Sequence, residues 1–237
     1  MQLLIDAGCM LFGYLLGSIP FGLIIVKLKT GQDIRAVESG RTGGTTAMRA
    51  AGLPAGLLPA FLDILKGAAA AWIVQFLVPG DHWAHILAPI GTILGHNYSA
   101  YLPEFDANGR FVRLRGGAGG APALGGAIGL WPPSLLIILP LGILMFFGTG
   151  YASLTTISVG LFALVIFGVR AYFGMPDANW VDALYGLIAA GLLTWALRPN
   201  IRKLFNGTER VVSISLHGRL KAKQEQREAS DAVDDIE

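Results

Sequence analysis

Residues 53–78 read LPAGLLPAFLDILKGAAAAWIVQFLV, and the only charges in that run are Asp63 and Lys66. A stretch this long and this apolar is what a helix needs to cross a hydrocarbon layer ~30 Å thick, at about 20 residues per crossing. The two charges stand three positions apart, so on a helix they share a face and can pair. Two uses of such a pair are open. It can be a structural ion pair near one end of the span, or Lys66 can lend positive potential to an anion site.

The same pattern repeats outward from this segment. Over 237 residues the chain is 53% hydrophobic and only 14% charged, where a soluble domain carries roughly 25% charge. The remaining apolar segments are Leu3 to Val26, Trp83 to Leu102, Ala121 to Trp131, Ser134 to Phe147, Tyr151 to Val169 and Val181 to Leu197. Together they predict an all-α polytopic membrane protein of about seven transmembrane helices. The fourth and fifth segments are short and meet at Pro132-Pro133, which leaves open a helical hairpin in place of two full crossings. The first segment lacks a basic amino end and is too long for a cleavable signal, so it is expected to remain in the mature chain.

Charge placement predicts the orientation, because short loops rich in Lys and Arg stay in the cytoplasm. Of the 18 Lys and Arg residues, all but Lys66 and Arg170 fall in three places. These are the stretch from Lys27 to Arg49, the stretch from Arg110 to Arg115, and the chain after Leu197. The connections at Pro79 to His82 and at Pro132-Pro133 carry no Lys or Arg. An amino terminus outside and a carboxyl terminus in the cytoplasm satisfy the rule.

Glycine, with 32 residues, is concentrated in two of these basic loops. The first runs Glu38-Ser39-Gly40-Arg41-Thr42-Gly43-Gly44-Thr45-Thr46-Ala47-Met48-Arg49. Glycines let successive backbone N–H groups converge, while hydroxyls and arginines add donors and charge, so the loop suits a phosphate. The second, Arg113-Leu114-Arg115-Gly116-Gly117-Ala118-Gly119-Gly120, leads directly into an apolar helix, and a helix amino end is an anion site. Neither loop has the Gly-Lys-Ser/Thr ending of a nucleotide-binding P-loop. The third basic element, Arg198 to Glu209, reads by itself as a membrane anchor with a glycine helix stop. Because all three fall on one predicted face, a shared site for a phosphorylated headgroup beside apolar helices is expected.

Cys9 is the single cysteine, so no internal disulfide can form, and no Cys/His cluster has metal-ligand spacing. Residues 1–210 are expected to form one transmembrane domain, followed by a charged cytoplasmic tail over 211–237. From about Lys221, with Asp231, Asp234 and Asp235 near its end, that tail reads as solvated and partly disordered.

These motifs, in this order, resemble the bacterial acyl-phosphate:glycerol-3-phosphate acyltransferases. The likeness begins at Gly13-Tyr14-Leu15-Leu16-Gly17-Ser18-Ile19-Pro20-Phe21-Gly22. It continues through the frame Ser39, Gly40, Gly43, Thr45 and Arg49, then Asp63-Ile64-Leu65-Lys66-Gly67 and Gly95-His96. Tyr151-Ala152-Ser153-Leu154, Asn200-Ile201 and Asn206-Gly207-Thr208-Glu209 complete it, over roughly residues 10–210. The resemblance implies transfer of an acyl group from acyl phosphate to the 1-hydroxyl of glycerol 3-phosphate, giving lysophosphatidic acid and inorganic phosphate. It implies no cofactor and no metal. The partners are then acyl phosphate, glycerol 3-phosphate and membrane lipid, with no nucleic acid, in a multi-pass protein of the inner (plasma) membrane whose active face is cytoplasmic.

By the same resemblance, Ser39, Arg49 and Asn200 are the catalytic candidates. Phosphate contacts are expected from Gly40, Arg41, Gly43 and Thr45 in the first loop and from Gly116, Gly117 and Gly119 in the second. Thr156 joins them where the family has a serine. The chain also departs from the family pattern. Ala118 replaces the lysine of Gly-Gly-Lys-Gly, Leu197 replaces a histidine three residues before Asn200, and Arg41 and Thr46 replace asparagines. A buried cation and a base each matter by about 10²-fold or more. Arg41, Arg113 or Arg115 is a replacement for the cation, and a substrate phosphate or His96 a replacement for the base. Two readings stand at this point: an active acyltransferase, and a catalytically silent relative that binds a phosphorylated lipid or acyl phosphate. A transporter is disfavoured, since no inverted repeat and no set of mid-membrane acids is visible.

Overall fold

A computed structural model describes residues 1–226 apart from Glu38, Ile214, Lys221 and Glu225. Residues 227–237, and with them the acidic end of the expected tail, lie outside the described residues. The chain folds into a helical bundle. The first apolar segment is not one helix: it breaks into α1 (Gln2–Gly17) and α2 (Phe21–Thr30). Pro20 explains the break, because it has no N–H to donate and its ring pushes Ile19 out of helical geometry.

A broken helix leaves carbonyls without partners, and inside a membrane each unmet group is costly. Lys66 meets them. Its Nζ donates to Gly17 O at 2.8 Å and to Ile19 O at 3.1 Å, and it stands 2.7 Å from Asp63 Oδ1. Ser99 Oγ donates to Ser18 O at 2.6 Å. Every contact of the Lys66 ammonium named here lies in this junction, so the ion-pair use of Lys66 accounts for its geometry. His96 Nδ1 joins the cluster, 3.4 Å from Asp63 Oδ1 and 3.1 Å from Lys66 Nζ. Asp63, Lys66 and His96 are all buried.

The remaining elements are α3 (Gly44–Ala51), α4 (Leu53–Leu77), α5 (His82–Asn97), α6 (Gly120–Leu130), α7 (Leu135–Thr149), α8 (Ala152–Tyr172) and α9 (Trp180–Phe205). Between α5 and α6 the basic loop forms a small antiparallel hairpin, β1 (Pro103–Phe105) with β2 (Phe111–Leu114), so the bundle is not purely α. The hairpin turns on Asp106, whose carboxylate accepts from Asn108 N and Arg110 N at 2.8 Å each, and on Gly109 at φ +74°. Such a carboxylate-to-backbone turn ending in glycine is a local strand-reversal signal.

Small residues let the helices approach. Gly13 and Gly17 of α1 face Gly91 and Gly95 of α5, each pair four positions apart. A methyl group at Gly13 or Gly17 would collide with Ala88 O or Thr92 O, and one at Gly91 or Gly95 with Met10 O or Tyr14 O. This reciprocal fit is how membrane helices gain packing energy, because lipid offers no hydrophobic drive between them. Gly67 and Gly125 serve α4 against α6, and Gly160 and Gly186 serve α8 against α9, in the same way. Around this framework Ile86, Ile93, Phe167 and Leu193 form the core, with Tyr185 donating its hydroxyl to Ala123 O at 2.6 Å. Large apolar side chains such as Leu57, Phe76, Leu136 and Val165 point outward, as lipid-facing residues do.

Among the described residues, five helical stretches are long and apolar enough to cross a membrane: 2–30, 53–77, 132–149, 152–172 and 180–205. Helices α5 and α6 correspond to the third and fourth apolar segments and, at 16 and 11 residues, are shorter than these five stretches.

Two outcomes follow from this packing. Gly13→Val should cost about 1–3 kcal/mol by overpacking and lower the thermal denaturation midpoint in detergent, whereas Gly8→Val, which meets nothing within 4 Å, should leave it unchanged. Lys66→Met strands the Asp63 carboxylate and the two carbonyls, so it should destabilise by about 3–5 kcal/mol. Adding Asp63→Leu should recover part of that loss; a double variant less stable than Lys66→Met alone would contradict the ion-pair assignment.

Candidate functional site

The three basic elements converge. Thr42 of the first loop donates its backbone N–H to Gly116 O of the second at 3.2 Å. Arg41 reaches α9, where its Nη2 donates to Ala196 O at 2.7 Å and to Asn200 Oδ1 at 3.3 Å. Asn200 Nδ2 in turn donates to Glu209 Oε1 at 3.2 Å. Glu209 is placed by the end of α9: Gly207 at φ +68° reverses the chain, and Thr208 N and Glu209 N both donate to Lys203 O.

Two connected cavities lie around this meeting point. The polar one, of about 380 Å³, is walled by Ser39, Arg41, Thr45 and Arg49, by Ser153 and Thr156, and by Asn200, Lys203, Glu209 and Arg210. The other, of about 420 Å³, is mainly apolar. Met48, Leu53, Leu57, Phe146 and Phe147 line it, with Asp63 and His96 at its inner end. Arg41, Thr45, Thr46, Ala118 and Thr156 belong to both. Beyond Phe146 and Phe147 a further apolar space of about 290 Å³ runs along α7 past Ile138 and Gly142. Leu53, Leu57 and Phe147 are exposed on the outer surface, so the apolar cavity has walls that also face lipid.

Three helices begin at these walls. Helix α3 starts after Gly43, α6 after Gly119 and α8 after Tyr151, none with a side-chain cap. Their first turns line the cavities through Gly44 and Thr45, Gly120 and Ala121, and Ala152 and Ser153. Each helix start presents unmet N–H groups and a partial positive charge of about half a unit. Added to Arg41, Arg49, Lys203 and Arg210, they give the polar cavity a strong preference for an anion.

The arginines are not equivalent. Arg113 Nε and Arg115 Nη2 pair with Glu104 at 2.5 and 2.6 Å, and hydrogen bonds from Arg115 and then Arg113 hold the Glu104 carboxyl down at about 2. Both are committed to the hairpin and line a neighbouring cavity of about 470 Å³, which shares Ser39, Arg41, Asn200 and Lys203 with the polar one. Arg41 lines that cavity as well as the other two, and its Nη1 is buried without a hydrogen-bond partner. Burial lowers the proton affinity of its guanidinium, opposed by the charge of Glu209, yet an arginine stays protonated at any ordinary pH. Of the three arginines considered for the missing cation, Arg41 alone reaches the polar cavity.

Of the other expected residues, Ser39, Thr45, Arg49, Thr156 and Asn200 share the polar cavity. Gly43 and Gly119 line the apolar one, whereas Gly40, Gly116 and Gly117 line the far side of Arg41. Gly117 is not free to donate, because its N–H is bonded to His96 O at 2.7 Å. Its lack of a side chain serves instead to let the backbone lie against the His96 ring, where a Cβ would meet Nε2. Leu197 and Ala118 are apolar parts of the polar cavity's wall. Residues that reach this wall with no expected role include Ser153 and Glu209, which lie within motifs that carry the resemblance, and Lys203 and Arg210. Glu209 had a visible signal, as the single acid between Asp182 and Glu225.

The family model described as Glycerol-3-phosphate acyltransferase matches residues 7–207. A glycerol-3-phosphate acyltransferase of Nitrobacter winogradskyi is 36% identical over 215 residues, covering 90% of this chain and 94% of the relative. One from Thermus thermophilus is 34% identical over 201 residues, covering 85% and 92%. Among solved structures, the glycerol 3-phosphate form of PlsY (YgiH), an integral membrane glycerol 3-phosphate acyltransferase, superposes with a TM-score of 0.71 at 32% identity, over 87% of this chain and 94% of that one. Its lysophosphatidic acid form matches equally well at 29% identity. With likeness running through both sequence and fold along nearly the whole bundle, this chain belongs to the glycerol-3-phosphate acyltransferase family.

Proposed function

We propose that the protein transfers an acyl group from acyl phosphate to the 1-hydroxyl of glycerol 3-phosphate, giving lysophosphatidic acid and inorganic phosphate. The observation that carries this reading is the junction itself: an anion-seeking polar cavity that shares a wall with an apolar one. Lysophosphatidic acid has that division, a glycerol phosphate at one end and an acyl chain at the other, and acyl phosphate likewise joins a phosphate to an acyl chain.

In the reaction the glycerol oxygen forms a bond to the acyl carbon, the carbon–oxygen bond to phosphate breaks, and the hydroxyl proton ends on the released phosphate. The protein's work is holding and neutralising. Ser39, Thr45 and Arg49 hold glycerol phosphate in the polar cavity, and Asn200 orients it. Arg41, at the wall common to both cavities, adds a charged donor to the glycerol phosphate, and the starts of α3 and α6 neutralise the phosphate that leaves. Such fixed donors act where negative charge develops and need no reorganisation during the step. The acyl chain runs past Phe146 and Phe147 along α7. His96, with Asp63 behind its Nδ1 and its Nε2 beside Gly117, stands at the inner end of the acyl cavity.

The protein works as one transmembrane domain over residues 1–210, in the inner (plasma) membrane, with all seven apolar segments in the bilayer. Its amino terminus is outside and its site cytoplasmic. The basic residues of the three converging elements support that orientation.

Purified chain given long-chain acyl phosphate and labelled glycerol 3-phosphate should form lysophosphatidic acid, and Arg49→Ala should cut kcat/KM by about 10²-fold. Product that appears only in an Ala118→Lys, Leu197→His double variant would overturn the reading and leave a silent scaffold. For orientation, in a Cys9→Ala background, Gly80→Cys should react with an impermeant maleimide from outside intact cells and Asn206→Cys only after permeabilisation; the reverse pattern would invert the topology.

A further inference from the structure

The bond from Arg41 to Asn200 and the bond from Asn200 to Glu209 form one chain with two open ends. Arginine can only donate and a carboxylate can only accept. The Asn200 amide is therefore fixed with its oxygen toward Arg41 and its nitrogen toward Glu209. Past these bonds, Arg41 Nη1 and Glu209 Oε2 are both buried and, among the described residues, both without hydrogen-bond partners, and both residues line the same polar cavity. One end offers a charged donor and the other a charged acceptor.

A carboxylate in this position sits at the carboxyl end of α9, where the helix dipole is itself negative, and it opposes a second anion in a cavity that Arg41, Arg49 and three helix starts otherwise make attractive to one. A bare phosphate would be repelled by it. A phosphate that carries a hydroxyl would not, provided the hydroxyl turns toward Oε2 and donates. We infer that Glu209 reads a glycerol hydroxyl: its free Oε2 accepts a hydrogen bond from the acceptor substrate while Arg41 Nη1 donates to the phosphate end. The inference rests on the reading of the cavity as the glycerol 3-phosphate site. It gives that site a means of preferring a hydroxylated phosphate ester over free phosphate, the product it must release.

The test is equilibrium binding to purified full-length chain in lipid nanodiscs, with glycerol 3-phosphate and n-propyl phosphate compared in wild type and Glu209→Gln. The two ligands share a phosphate and three carbons but differ in the hydroxyls. Wild type should favour glycerol 3-phosphate by about 10-fold or more, the scale of one hydrogen bond to a charged group. In Glu209→Gln, glycerol 3-phosphate should weaken while propyl phosphate holds or tightens, because the repelling charge has gone, and the preference should collapse. A preference that survives the substitution, or a parallel loss of both ligands, would overturn the inference and make Glu209 a structural residue. Wild type that binds neither ester would instead sink the underlying assignment of the cavity.

Discussion

A buried ammonium is the point from which the rest of this structure hangs. Pro20 breaks the first apolar helix, and Lys66 donates to the carbonyls that the break exposes while pairing with Asp63. That single residue meets the carbonyls between α1 and α2 and ties the junction to α4. Through Asp63 and His96 it also reaches α5. His96 then receives the second glycine loop, since its carbonyl accepts from Gly117 N and only a residue without a side chain can lie against its ring. The second loop holds the first through Thr42 and Gly116. A charge within the membrane thus serves backbone that would otherwise be left unmet, which is the condition for irregular structure at that depth.

The site follows from putting opposite demands side by side. Its polar half gathers cations and uncapped helix starts, and its apolar half is walled by α3, α4 and α7 side chains next to lipid. Arg41 stands at the boundary. Because Arg113 and Arg115 are both paired with Glu104 in the hairpin, the anion-binding charge is concentrated on the side of Arg41 that faces α8 and α9. The large number of basic residues in these loops therefore divides into two uses, of which only one concerns the site.

Much of the architecture was legible because lipid imposes simple rules. Segments such as 53–78 announce themselves by length, and the pairing of Asp63 with Lys66 by spacing. The break at Pro20 was written in the sequence but hidden by the apolar run around it, and the hairpin was hidden among basic residues although Asp106 to Gly109 spell its turn. At the site, Ser39, Thr45, Arg49 and Asn200 carry a pattern that resemblance could point to. Which arginine reaches the cavity could not be read, because Arg41, Arg113 and Arg115 differ only in the partners that folding gives them. Glu209 was passed over for a similar reason: its role depends on Asn200 and Arg41, which are remote in sequence and adjacent only through the turn at Gly207.

The account's central claim is that the glycerol phosphate site is formed where the three basic elements meet at Arg41. The structure of this chain with glycerol 3-phosphate bound tests it most directly. The phosphate is predicted in the polar cavity within hydrogen-bond distance of Arg41 Nη1 and of Ser39 or Arg49, with the glycerol directed toward the shared wall at Ala118 and Thr156. Phosphate held instead by Arg113 and Arg115, in the neighbouring cavity on the other side of Arg41, would contradict it.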